Sequence, residues 1–185
     1  MTHVFVSVTV ISHCLLPDGF LRNKHPLQNW ETSPNLLTST AQIFFYNLIS
    51  VAVILFSNLF SSRARKTDSF MSLGYLAFFA QIAINAVVLG TWSFSVARDA
   101  VPLLHRITGM FDLLHRAGMW EMIGQLLILC ATAKTPLVIM DRNETTTRSW
   151  RSIRLTQQEV LALAVGLLSI LTGASVESYG IIQST

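Results

Sequence analysis

The chain has 185 residues, of which 51% are hydrophobic and only 12% charged. Soluble domains carry roughly 25% charged residues, so little of this surface is meant for water. The net charge of +3 does not point to nucleic acid. The basic residues sit beside apolar runs, as topology signals do, and no basic helix is interleaved with exposed aromatics. The composition therefore predicts an all-α integral membrane protein with lipids as its surroundings; its packing faces and polar helix lead to the expectation of other membrane protein subunits as partners.

Residues 1–35 form the first region and 36–185 the transmembrane domain. At the N-terminus Val4, Val6, Val8 and Val10 alternate with Phe5, Ser7, Thr9 and Ile11, a strand-like period that predicts an extended or interfacial segment. It lacks the charged n-region and small-residue cleavage site of a signal peptide. Residues 18–35 are a polar connector with two prolines. Cys14 and Cys130 provide no metal framework, and Cys130 inside an apolar run is expected to be a small hydrophobe.

About four transmembrane helices are expected. The first has its apolar centre at residues 36–60, long enough for about 30 Å of hydrocarbon. The second lies in the uncharged run 69–97. The third is expected over about 117–138, although Pro136 would kink or end it. The fourth begins near Thr156 and has its core at 160–176, bounded by Glu159 and Glu177.

With four spans, the loops 63–68 and 141–154 share one side. They carry Arg63, Arg65, Lys66, Arg142, Arg148, Arg151 and Arg154, against Arg22, Lys24, Arg98, Arg106 and Arg116 opposite. That bias places both loops on the cytoplasmic or matrix side. The sequon Asn143-Glu144-Thr145 matters only if the orientation is reversed.

Residues 103–118 read as an amphipathic helix before the third span. Leu103, Ile107, Met110, Phe111, Leu114 and Ala117 fall on one side, and His105, Thr108, Asp112, His115 and Arg116 on the other. Asp112 and Arg116 form an attractive i, i+4 pair. His105 and His115 are roughly 80° apart in angle but more than two turns apart along the axis, so they cannot ligate one metal together. The polar face of Asp112, His115 and Arg116 fits a helix lying on the membrane surface. The second reading is a face buried against a partner or lining a pocket.

Small residues mark packing faces. The last span carries Ala162, Gly166, Ser169, Gly173 and Gly180; the second carries Ala83, Ala86, Gly90 and Ala97. Such stripes let helix backbones approach closely within a bundle or between subunits. The first span aligns Gln42, Tyr46, Ser50 and Ser57 on one stripe. No catalytic or metal motif stands in the sequence, and no pair of carboxylates within the spans suggests proton or cation transport. Only Glu121, Lys134, Glu159 and Glu177 approach the spans, all near their ends.

His105-Arg106-Ile107-Thr108-Gly109 resembles part of a motif of the succinate dehydrogenase cytochrome b subunit, the larger membrane anchor of respiratory complex II. That family carries S-x-x-H-R-x-[ST]-G where its first membrane helix begins. Pro102 stands here at the serine position, and the family's haem-ligand segment has no counterpart downstream. The resemblance implies ubiquinone as a ligand, with Arg106 as the quinone-side cation and His105 as its neighbour. It also implies the mitochondrial inner membrane and the respiratory chain. The expected function is a non-catalytic, membrane-embedded subunit of a larger complex. The alternative is a small transporter or channel acting alone, whose mark would be charged residues facing each other from different spans.

Overall fold

The computed structural model describes residues 2–22, 33–63, 70–93, 102–113, 117–141 and 144–184. Arg65, Lys66, Ala97, Arg98, His115, Arg116, Arg142 and Asn143 lie outside the described residues, as does the middle of the polar connector. The chain is mostly helical. It groups into two compact units, one made of 1–33 and 80–115, the other of 34–79 and 116–185. Residues 1–33 thus group with 80–115.

In the first unit, helix α1 runs over Thr2–Leu15. This corrects the extended expectation. A lone strand leaves its backbone groups without partners, whereas a helix satisfies them internally. Its buried positions are the small hydroxyls Thr9 and Ser12. Both turn back onto their own helix, Thr9 Oγ1 donating to the Phe5 carbonyl (2.9 Å) and Ser12 Oγ to that of Val8 (2.6 Å). This face meets Gly90, where a Cβ would strike both the Ser12 hydroxyl and the Thr9 carbonyl. Gly90 therefore does serve as a point of close approach. Helix α4, Leu103–Leu113, completes the unit; Leu103 and Ile107 are half-buried, and His105 and Thr108 exposed.

In the second unit, α2 spans Leu36–Asn58 and starts at Asn35, whose side chain accepts from the backbone N–H groups of Leu37 and Thr38. Strand β1 (Phe60–Arg63) follows, then β2 (Phe70–Ser72) leads directly into α3 (Leu73–Gly90). Helix α3 contributes residues 73–79 to this unit and 80–90 to the other. Then come α5 (Met119–Thr132), β3 (Val138–Met140), β4 (Thr145–Thr147) and α6 (Gln157–Ser184). The strands form one sheet in the order β2-β1-β3-β4, with Ser61 opposite both Ser72 and Ile139. The expectation of a purely helical protein is corrected by this sheet. It joins the ends of the two basic loops, and Arg63 lies 3.8 Å from Asp141 across it.

Among the described residues three helices are long and apolar enough to cross a membrane: Leu36–Asn58, Leu73–Gly90 and Gln157–Gln183. The expected third span is the correction. Helix α5 has 14 residues, about 21 Å, short of the roughly 30 Å a span needs. It stops before Pro136, which restricts the residue preceding it and has no N–H to continue the ladder. The chain instead turns into the sheet, where the N–H groups of Leu137 and Val138 both donate to the Leu59 carbonyl. Helix α6 begins where Thr156 and Glu159 cap each other: the Thr156 N–H donates to Glu159 Oε2 (2.7 Å) and the Glu159 N–H to Thr156 Oγ1 (3.3 Å).

Candidate functional site: polar contacts within the helix layers

The second unit is built around α2, α5 and α6. Asn47 on α2 donates to Glu121 on α5, and about three turns further on both helices Asn58 donates to Thr132. The two helices therefore run parallel. Helix α6 runs against them: Gly124 meets Gly166 and Ile170, while Glu121 meets Gly173 further along α6. A Cβ on Gly124 would lie 2.6 Å from the Gly166 carbonyl oxygen, and one on Gly166 would lie 2.8 Å from that of Gly124. Gly166, Ser169 and Gly173 are buried on this face and Ala162 half-buried, so the stripe is used inside the chain, against α5. Val51, Ile128 and Ile170 fill the middle, with Phe44, Leu48 and Leu163 around them.

Two polar layers bracket that apolar middle. In the first, the Asn47 amide donates to the Glu121 carboxylate, and Glu177 on α6 stands one turn beyond the Gly173 that Glu121 packs against. Gly173 makes the room, since a Cβ there would lie 2.8 Å from Glu121 Cγ. Two carboxyls and one amide give a surplus of oxygen acceptors between helices. A proton or a small cation held there would relieve the like-charge repulsion. Glu121 and Glu177 are far apart in sequence, and the antiparallel crossing of α5 and α6 brings Glu121 against Gly173, about one turn from Glu177. Asn47 was legible as a polar residue within an apolar run, but it stands beside the Gln42–Tyr46–Ser50 stripe rather than on it.

In the second layer Asn58 is fully buried. Its amide donates to Thr132 Oγ1 (2.6 Å) and to the Leu129 carbonyl (3.3 Å), and its oxygen accepts from the Ser72 hydroxyl. Ser72 Oγ in turn accepts from the Gly74 N–H (3.1 Å). This closed network ties the end of α2 to the end of α5 and the start of α3.

His105 and Arg106 are brought into different surroundings. His105 is exposed, while Arg106 is 3% exposed although it belongs to the longest cationic side-chain type. Its Nη2 lies 2.9 Å from Asp18 Oδ1, its Nη1 donates to the Gly90 carbonyl, and its guanidinium sits 5.6 Å from the Trp92 ring centroid. The turn after α1 is pinned to the same place: the Gly19 N–H donates to the Thr91 carbonyl (2.6 Å) and the Leu21 N–H to Ser93 Oγ (3.0 Å). In this setting Arg106 is a fastening between α1, α3 and α4. Arg106→Met is expected to destabilise the first unit by about 1–3 kcal/mol, because the Gly90 carbonyl loses its charged donor. Asp18→Asn is expected to cost less, since Asp18 is half-exposed and rehydrates. Thermal unfolding of both variants in detergent checks the order. The side chain of Asp112, like all of His115 and Arg116, lies outside the described residues. Cys14 and Cys130 are both free thiols.

What these features define is a mostly helical protein with, among the described residues, three apolar helices of membrane length and polar contacts set between helices. Comparison with protein-family models, curated proteins and solved structures finds no match.

Proposed function

We propose that the chain is an integral membrane protein serving as a non-catalytic subunit of a larger membrane assembly. The observation that carries this reading is the apolar exterior of its long helices. Leu37 is 81% exposed, and Phe45, Phe56, Leu76, Leu161 and Leu168 are all exposed by more than half. Soluble proteins rarely expose contiguous apolar surface on this scale, whereas lipid or a neighbouring membrane helix covers it at no cost. Helix α5 supports a partner. It flanks only the half of α2 from Asn47 to Asn58, and a half-length apolar helix at membrane depth needs protein around its end.

The expected result is that the chain stays in the membrane pellet under alkaline carbonate. After mild detergent extraction it should migrate on native electrophoresis with other subunits. Release by carbonate would overturn membrane residence; a monodisperse single chain would overturn the subunit role. The respiratory-chain and ubiquinone expectation rests on the His105–Gly109 resemblance. Succinate dehydrogenase flavoprotein and iron–sulfur subunits in the native band would support it.

A second reading is favoured by Glu121, which packs against Gly173 on α6 one turn before Glu177. A small ion or proton carrier places such carboxyls where its cargo passes. Flux through vesicles holding the purified chain alone, lost in Glu121→Leu, would select this reading.

A further inference from the structure

At the end of the second unit where α5 stops and α6 begins lies a cavity of about 90 Å³. It is lined by Lys134, Arg148 and Arg154, with the hydroxyls of Thr135 and Ser152 and one carboxylate, Glu159. Three basic residues and one acidic residue thus line it. Glu159 is partly engaged elsewhere, accepting from the Thr156 N–H at 2.7 Å while its other oxygen lies 4.0 Å from Lys134 Nζ. A cavity on this scale has room for one tetrahedral oxyanion. Guanidinium groups match phosphate oxygens in a planar fork, and hydroxyls add neutral donors.

We propose that this cavity binds a single phosphate group, supplied by an anionic lipid headgroup or by soluble phosphate. The surroundings favour the lipid. Trp150 is 66% exposed on the 3-10 turn Trp150–Ser152 beside the cavity, and Leu155 and Val160 are exposed where α6 begins. An exposed tryptophan among arginines at the mouth of an apolar helix is the pattern of a membrane–water interface. Basic pockets at helix ends there take lipid headgroups. The lipid arm rests on the membrane reading proposed above; the phosphate chemistry does not.

The test uses the full chain in a neutral detergent, read by native mass spectrometry with added phosphatidylglycerol, phosphatidylcholine or inorganic phosphate. Phosphatidylglycerol should be retained over phosphatidylcholine. Arg148→Gln and Arg154→Gln should each weaken retention roughly fivefold. Arg151→Gln, in the same loop but outside the cavity lining, should leave it unchanged. Glu159→Gln should strengthen it by a similar factor, because glutamine still caps α6 while the counter-charge is gone. Inorganic phosphate bound with the same arginine dependence, without phosphatidylglycerol, keeps the site and assigns it to soluble phosphate. Retention unaltered in the Arg148/Arg154 double variant, or lost equally in Arg151→Gln, overturns the site. Alkaline carbonate extraction is scored in parallel. A chain that carbonate releases but that binds phosphate through Arg148 and Arg154 overturns membrane residence and keeps the site.

Discussion

Gly124→Val is expected to force α5 away from α6 and to lower the stability of the second unit by about 3 kcal/mol, at the upper end of what overpacking costs. The nearest obstacles to a new side chain are the backbone oxygen of Gly166 and Ile170 Cγ1, both at 2.6 Å. A backbone atom cannot rotate aside as the tip of a side chain can. Gly166→Val should behave alike, because its Cβ meets the Gly124 carbonyl and Ile128 at 2.8 Å. Gly180→Val is the control, since a Cβ there meets nothing within 4 Å. Unfolding by SDS titration from mixed micelles, followed by circular dichroism, measures all three. Equal midpoints for Gly124→Val and Gly180→Val would show that α5 and α6 do not meet at Gly124. The same contact predicts coupling: the Gly124→Val/Gly166→Val double variant should lose less than twice the single loss, since the first substitution already opens the gap.

Asn58→Leu should be the next most damaging change, at about 1–3 kcal/mol. Leucine keeps the same branched skeleton of heavy atoms with bulkier methyl ends, so the loss does not report a cavity. It removes the acceptor of the Ser72 hydroxyl and the donor to both Thr132 Oγ1 and the Leu129 carbonyl. Thr132 still donates to the Ile128 carbonyl at 2.7 Å, and Ser72 Oγ still accepts from the Gly74 N–H. The full penalty therefore falls on the Ser72 hydroxyl, since the Leu129 carbonyl also belongs to the α5 ladder. Chemical denaturation of Asn58→Leu beside Asn58→Asp and Thr132→Val gives the comparison. A leucine variant as stable as the parent would mean the network is neutral to stability.

Membrane-length helices were legible because their cause is local. Residues 36–60 and 160–176 are uncharged over a distance that only a bilayer or a large core can cover, and composition alone reports that. The small-residue stripe was legible for the same reason: Gly166, Ser169 and Gly173 recur at helical spacing. The start of α6 near Thr156 follows from the capping pair it forms with Glu159, again within one turn. Two readings failed where local pattern and tertiary context compete. The alternating valines of residues 4–10 look strand-like, yet with no neighbouring strand the backbone closes its hydrogen bonds within a helix. The apolar run 122–133 looks like part of a span, but Pro136 and the pairing of β3 beside β1 end it early.

Charge and hydropathy pattern along the chain thus set by themselves which segments shun water, where the basic loops fall and which helix faces are lean enough to pack closely. Those are properties of neighbours in sequence, fixed by transfer free energy and helical periodicity. Which side of α5 meets α6, that Glu121 reaches Asn47 and nears Glu177, that Arg106 is buried against Asp18 and Gly90, and that Lys134, Arg148 and Arg154 share one cavity were decided only by the tertiary structure. These contacts join residues far apart in the chain, and the free energy that selects them comes from burying polar groups with partners. Such partners exist only once the helices have packed.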